Sequence, residues 1–295
     1  MSEKVKIVTL GCEKNRVDSE IMSGLIDERG YSLVDNEEEA SVIIVNTCGF
    51  IDAAKEESVN TILELADLKQ TGNLKALIVS GCLTQRYKKV LMDEMPEIDG
   101  IVGTGDFHRI NEIIDEALAG KKPIMVGNPV FNYEKALPRR LSTPRYTAYV
   151  KIAEGCDNNC TFCSIPIMRG KFRSRSIESI VAEVQQLASQ GVREISLIAQ
   201  DSTNYGTDLY DTFKLPELMN RVSEVPGIEW VRLHYAYPGF FTDELIETIA
   251  TNPNICNYID MPLQHSEDAI LKRMRRPGRQ RDARELIEKI RRRIP

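Results

Sequence analysis

Residues 42–48 read VIIVNTC and residues 76–82 read ALIVSGC, two β-branched runs that each close on a cysteine. Their apolar parts, 42–45 and 76–79, are too short for helices, and each reads as a buried strand. Working outward, 6–10 is another such run, followed by Gly11 and Cys12, and 101–102 is a weaker one. Between these runs the apolar spacing turns helical, over 17–29 (stopped by Gly30), 53–68, 85–94 and 107–119 (ended by Gly120). Strands alternating with helices imply right-handed crossovers and a mainly parallel, doubly wound sheet. In such a sheet ligands bind beyond the carboxyl ends of the strands. Cys12, Cys48 and Cys82 each follow a strand, so they fall on one edge and can converge. The plain alternative is three small buried thiols at strand ends.

Residues 121–145 carry Pro123, Pro129, Pro138 and Pro144 without a clear period, and read as a linker. A second alternation begins at Tyr146, with strands expected at 148–153, 194–198, 229–234 and 258–261. Its helices are expected at 177–189, 215–222, 243–251, 267–274 and 282–293. This is a (β/α) barrel or part of one, and four strands are fewer than a closed barrel needs. The expected division is a first domain over 1–122, a linker over 123–145, and a barrel domain over 146–295 that is incomplete at its C-terminus. A length of 295 residues, about twice a common domain, agrees with two domains.

Composition excludes several classes. With 42% hydrophobic and 28% charged residues of mixed sign, the chain is folded, not disordered. A net charge of −6 argues against a surface that binds nucleic acid throughout, although 266–295 holds 11 Lys/Arg against 5 Asp/Glu. No apolar run approaches the roughly 18 residues of a membrane span, and the start lacks a signal-peptide pattern, so a cytoplasmic location is expected. Seven cysteines, an odd number, match a disulfide framework poorly and point to reduced thiols.

Three of those cysteines lie close together. Cys156, Cys160 and Cys163 form C-x3-C-x2-C just after the first strand of the second half, at the mouth where βα loops carry chemistry. A structural zinc site needs a fourth ligand, and His108, His234 and His265 do not supply one at knuckle spacing. A ferredoxin-type site also needs a fourth thiolate, typically in Cys-Pro, whereas Ser164-Ile165-Pro166 follows here. What remains is a [4Fe–4S] cluster held by three thiolates, with one iron open.

With Phe162 before its last cysteine, this run resembles the signature of the radical S-adenosylmethionine enzymes. The resemblance implies that the open iron chelates S-adenosylmethionine and that one electron splits a carbon–sulfur bond to give the 5′-deoxyadenosyl radical, chemistry that no side chain supplies. Both cysteine sets together resemble the methylthiotransferase family over essentially the whole chain. Segments similar to that family are NTCGFI (46–51), SGCL (80–83), GCDNNCTFCSIPIMRGKFRSR (155–175), QDSTNYG (200–206) and MPLQHS (261–266). The resemblance implies a second [4Fe–4S] cluster on Cys12, Cys48 and Cys82, with a sulfur or methylthio group on its open iron. LGCEKNRVDSE (10–20) looks like the branch that modifies ribosomal protein S twelve, with Glu13 where that branch usually has proline. The branch that modifies transfer-RNA adenosine tends to read Gly-Cys-Gln-Met-Asn instead.

The implied reaction methylthiolates an aspartate β-carbon of that ribosomal protein, on the ribosome or its 30S subunit. One S-adenosylmethionine gives the methyl group and a second the radical, with an electron donor such as flavodoxin or ferredoxin. The two open irons would then face a common cavity, so that the carbon radical is trapped at once. Family members continue past this point, with two more strands, one bearing a Gly-Phe-Pro-Gly-Glu-Thr-type loop, and a C-terminal TRAM domain. Relative to them the chain is expected to be truncated.

Other residues carry weaker readings. Gln200, Asp201, His234 and Gln264 follow strands and could bind S-adenosylmethionine or substrate, as could His265; capping or packing is their alternative. Tyr205 and Gly206 shape a loop. Arg169, Lys171, Arg173 and Arg175 could orient a carboxylate or a ribosomal RNA phosphate, or be solvated loop charge. The basic run from Lys272 to Arg293 reads as the polar face of outer helices, or as an RNA contact, and Cys256 as simple packing. No catalytic acid, base or nucleophile is singled out. The competing functions are a transfer-RNA methylthiotransferase, a non-catalytic iron–sulfur or electron-transfer protein, and a zinc-stabilised binding module.

Overall fold

The computed structural model describes residues 2–134, 137–276 and 278–295; Lys135 and Ala136, in the expected linker, lie outside them. The chain divides into two compact units. The first runs from the N-terminus to Phe131 and takes back Leu137–Ser142 and Ile167–Gly170; the second holds the other described residues.

The first unit is built on a sheet of six strands, all parallel: β1 (Lys4–Thr9), β2 (Ser32–Leu33), β3 (Val42–Thr47), β4 (Ala76–Gly81), β5 (Gly100–Val102) and β6 (Ile124–Met125), in the order β2-β1-β3-β4-β5-β6. Every residue of β3 and β4 is buried, as a central parallel strand covered on both faces requires. One core patch joins Ile43, Val45, Leu77 and Val79 to Ile62 and Leu91. The covering helices are α1 (Glu13–Arg29), α2 (Asp52–Ala66), the single turn α3 (Leu68–Thr71), α4 (Cys82–Glu94) and α5 (Ile110–Leu118).

The expected strands and helices are present, with informative differences. α1 begins four residues before its apolar period does, because Lys14, Asn15, Asp18, Ser19 and Glu20 are buried although polar. α4 begins at Cys82, and Lys88 breaks its helical geometry with φ 44° and ψ −125°. The stretch read as linker supplies β6, a two-residue edge strand too short to show a period.

The second unit holds four parallel strands, β7 (Thr147–Lys151), β10 (Glu194–Ile198), β11 (Trp230–Leu233) and β12 (Ile255–Ile259), in the order β12-β11-β10-β7. Between β7 and β10, a small antiparallel ladder pairs β8 (Ala153–Glu154) with β9 (Arg173–Ser174). The short helix α6 (Ile165–Arg169) precedes β9, and the crossovers are α7 (Ile177–Ser189), α8 (Leu215–Ser223) and α9 (Asp243–Thr251). Two basic helices, α10 (Asp268–Arg273) and α11 (Gln280–Arg293), follow β12. β12 starts three residues before the expected 258–261, so Cys256 lies inside a strand, half-buried. The architecture is α/β throughout: a doubly wound parallel sheet, then a partial (β/α) barrel. Among the described residues, no helix is long and apolar enough to cross a membrane.

Candidate functional site

The strand order places the first cysteine trio. The chain leaves β1 for β2 on one side and returns to β3 on the other, so the β1/β3 boundary is a topological switch point, where a crevice opens at the strand ends. Cys12 caps α1 beyond β1, Cys48 follows β3, and Cys82 follows β4, the next strand over. Two glycines let these turns close on one another. Gly11, at φ +85°, has no side chain to collide with Cys48, whose Cβ lies 2.8 Å from where a Cβ on Gly11 would sit. Gly81, at φ +98° and ψ −151°, packs against Asn46 Oδ1 and Thr47 O, which lie 2.5 and 2.6 Å from its missing Cβ.

Asn15 ties the three turns together. Its Nδ2 donates to Leu10 O and Thr47 O, both at 3.0 Å, and its Oδ1 faces Cys82 Sγ at 3.9 Å. The backbone carbonyl of Asn15 accepts from Asn46 Nδ2. Cys12 is exposed, Cys48 half-buried and Cys82 buried. Burial pushes the Cys82 thiol up to about 11, against the pull of the Arg169 guanidinium, and burial also raises Cys48. Arg169 itself is buried, donating to Asp18 Oδ2 at 2.8 Å and Asn15 Oδ1 at 2.6 Å.

The second trio sits on the loop after β7 and β8. Cys156, Cys160 and Cys163 are all half-buried, and Cys163 N donates to Cys160 O at 3.2 Å. Asn158 Nδ2 donates to Cys156 Sγ at 3.3 Å and to Asp201 Oδ2 at 2.8 Å. Arg276 Nη1 lies 3.7 Å from Cys160 Sγ, its guanidinium 4.1 Å from the centre of the Tyr237 ring. Burial raises the Cys156 and Cys163 thiols and the Asp201 carboxyl. Each trio is thus gathered in one loop cluster of its own unit. Among the described residues, no three His, Cys, Asp or Glu side chains stand close enough to hold a metal ion as they are. The donor sets and the glycine-lined approach of the first trio nonetheless fit soft-metal ligation by sulfur.

The supporting residues sort differently. Asp201 is buried beside the second trio and accepts from Thr203 Oγ1 at 2.8 Å as well as from Asn158. Gln200 donates to Glu154 Oε2 at 3.5 Å, and its buried Oε1 has no partner among the described residues. His234 is half-buried, near the Tyr149 and Tyr258 rings and 3.9 Å from Asp260 Oδ2. Gln264 and His265 are exposed on a cleft of about 640 Å³ that Tyr237 and Arg276 also line. Tyr205 is buried, its hydroxyl donating to Arg175 O, as a loop-shaping residue would.

The arginines after the second trio correct the sequence reading. Arg169 and Arg175 are neither solvated nor free to meet an outside anion: Arg169 pairs with Asp18, and Arg175 with Glu183 at 2.6 Å, all four buried. Arg173 Nη1 turns onto Lys171 O, and Lys171 is exposed. Asn15, Asn158 and Tyr237 were not singled out from the sequence as site residues, and Arg276, read with the basic run on the polar face of outer helices, instead stands beside Cys160. Their signal, polar residues within a few positions of a cysteine, was present only for the two asparagines.

Residues 4–103 match the model of "Uncharacterized protein family UPF0004", and residues 150–295 that of the "Radical SAM superfamily". The "Ribosomal protein uS12 methylthiotransferase RimO" of Desulforamulus reducens is 54% identical over 292 residues, 99% of this chain and 66% of the relative. The proteins of the same name from Heliobacterium modesticaldum and Clostridioides difficile are 51% and 50% identical, over 100% and 99% of this chain and 64% and 66% of their own lengths. The chain thus spans just under two thirds of the curated relatives it matches. Among solved structures, the radical S-adenosylmethionine methyltransferase TsrM from Kitasatospora setae, with cobalamin and a [4Fe-4S] cluster bound, superposes with a TM-score of 0.67 at 13% identity, over 99% of this chain and 65% of that one. The cobalamin-dependent radical enzyme OxsB gives 0.64 at 12% identity, over 98% and 48%. At such identities the likeness is one of fold. At about half identity over essentially all of its length, and with both sequence models in order, the chain belongs to the radical S-adenosylmethionine methylthiotransferase family, in its RimO-like branch.

Proposed function

We propose that this chain is the cluster-binding part of an enzyme that methylthiolates an aspartate β-carbon of ribosomal protein uS12, in the cytoplasm. One C–H hydrogen of the target is exchanged for SCH3. A sulfide-level donor supplies the sulfur and one S-adenosylmethionine its methyl group. A second S-adenosylmethionine, cleaved with an electron from a flavodoxin or ferredoxin, takes up the displaced hydrogen and ends as methionine and 5′-deoxyadenosine. The electron freed as the target carbon joins the methylthio group returns to the iron–sulfur centre. Two trios of thiols, each one ligand short of a full set, carry this reading. Cys12, Cys48 and Cys82 would hold one [4Fe–4S] cluster, and Cys156, Cys160 and Cys163 another. When bound, such clusters supply a low-potential electron and an open iron that can hold sulfur or chelate a substrate.

The chain's own groups bind and orient. Asn15 fixes the three turns of the first site, and Asn158 points an N–H at a ligand sulfur of the second, an outer-shell contact of the kind that tunes affinity and potential. Asp201 holds Asn158 in place. Gln200, His234 and Gln264 are the residues of the second unit offered to S-adenosylmethionine or to the target peptide. Gln200 has the strongest claim, because its buried carbonyl oxygen lacks a donor among the described residues.

The test is to express the encoding gene in a bacterium that lacks its own uS12 methylthiotransferase, then weigh the uS12 peptides. Gain of one SCH3 less one hydrogen on the aspartate peptide is expected. A gain on transfer-RNA adenosine instead, with uS12 unmodified, would assign the other branch; no gain on either would remove the activity.

A further inference from the structure

Arg169 stands six residues after Cys163 in sequence, yet its side-chain partners belong to the first unit. Its side chain is 2% exposed, with Nη1 on Asp18 and Nη2 on Asn15 Oδ1. That same amide oxygen faces the Cys82 sulfur. While Cys82 carries a proton, Asn15 Oδ1 has two donors, the thiol and the guanidinium. Once Cys82 binds a metal through sulfur the thiol donor is lost, and an oxygen lone pair would confront an electron-rich sulfur. The guanidinium keeps that oxygen satisfied and sets a fixed positive charge behind the sulfur.

Charge gives Arg169 a second role. A [4Fe–4S]2+ core on three thiolates carries one net negative charge, and a reducing electron adds another. In a partly buried site that charge is costly without a nearby cation. Net charge and hydrogen bonding near the sulfurs set the reduction potentials of such clusters. The Asp18 carboxylate steers the guanidinium, and Glu would place its charge one methylene away.

We propose that Arg169 is a positioning residue of the Cys12/Cys48/Cys82 site, holding Asn15 and Cys82 in ligating geometry and raising the reduction potential of the cluster bound there. This rests on the reading of that trio as a cluster site, and the experiment separates the two. The starting protein carries Cys156→Ala, Cys160→Ala and Cys163→Ala, so that only the first site loads during anaerobic reconstitution. Iron per chain and an EPR-monitored redox titration are then compared for Arg169, Arg169→Lys and Arg169→Met.

Arg169→Met is expected to lower the reduced-to-oxidised ratio at a fixed poise by about tenfold, the scale of one buried charge, and to shed iron to a chelator faster. Arg169→Lys restores most of the ratio but not the resistance to chelation, since an ammonium keeps the charge and loses the fork geometry. Where Arg169→Met folds poorly, Asp18→Asn/Arg169→Met carries the test, because it leaves no buried carboxylate unpaired, and the same drop is expected. Iron bound with an unmoved potential in both Met variants overturns the role of Arg169 and leaves the site standing. A starting protein that takes up no iron overturns both.

Discussion

Arg139 grips Glu20 with Nε and Nη2 on one carboxylate oxygen, at 2.8 and 2.6 Å, and the two side chains are 5% and 1% exposed. The other oxygen of Glu20 accepts from Ser142 N and Oγ at 2.9 and 2.7 Å, so one glutamate on α1 anchors the returning segment Leu137–Ser142. Truncating Arg139 to alanine strands a buried carboxylate and is expected to cost about 3–5 kcal/mol. Pairing it with Glu20→Gln should recover a good part of that loss. Urea unfolding of the single and double variants is the check, and equal stabilities would show that the pair anchors nothing.

Gly81→Ala tests the closeness of the first three turns. Its φ of +98° and ψ of −151° belong to a region essentially reserved for glycine. The new Cβ would meet the Thr47 backbone carbonyl and Asn46 Oδ1, whose amide is held by its Nδ2 bonds to Asn15 O and Ser19 Oγ. A loss of at least about 1–3 kcal/mol in stability is expected, together with reduced iron at the first site. A variant with wild-type thermal stability and iron content would show that the turn relaxes freely.

Asn158→Ala removes the N–H aimed at Cys156 and leaves the buried Asp201 one donor short. The missing bond should cost about 1–3 kcal/mol, and iron affinity at the second site should fall roughly 10–100-fold. Competition with a chelator, in protein whose first trio is replaced by alanine, measures this. Unchanged iron retention would reduce Asn158 to a loop fastener.

Tyr31 gives a prediction in pH. Burial and its hydrogen bond to Asp115 push the phenol up to about 12 from an ordinary value of 10.0. A group whose folded value is raised contributes stability that is full below the unfolded value and fades as pH climbs through the folded one. The difference in unfolding midpoint between the protein and Tyr31→Phe should therefore be constant below about pH 10 and shrink between 10 and 12. A difference independent of alkaline pH would remove the bond to Asp115 from the balance.

Much of this was legible in the sequence because each signal was local. α7, β10 and α9 lie where amphipathic or β-branched periodicity puts them, and the cysteines of the first trio are fixed by strands too apolar to misread. The start of α1 was not legible, because a helix that buries Asn15, Asp18 and Glu20 hides its inner face from any hydrophobic count. Arg169 and Arg175 read as anion-orienting groups or solvated loop charge, and not as buried ion-pair partners, for a related reason. The Asp18 that neutralises Arg169 lies 151 residues away, so no local pattern reveals it. β6 failed to register since two residues cannot show alternation.

The amide of Asn15 spends both hydrogens on two backbone carbonyls and its oxygen on a guanidinium. No neighbouring amino acid can inherit that post. Aspartate would turn an oxygen toward two carbonyls, and glutamine would drive an extra methylene toward Gly11, already 3.2 Å from the amide nitrogen at its missing Cβ. Evolutionary wandering around the first trio is therefore free to change the surface of α1 but is pinned at its third residue, and a library randomised across 13–19 should return a single letter there.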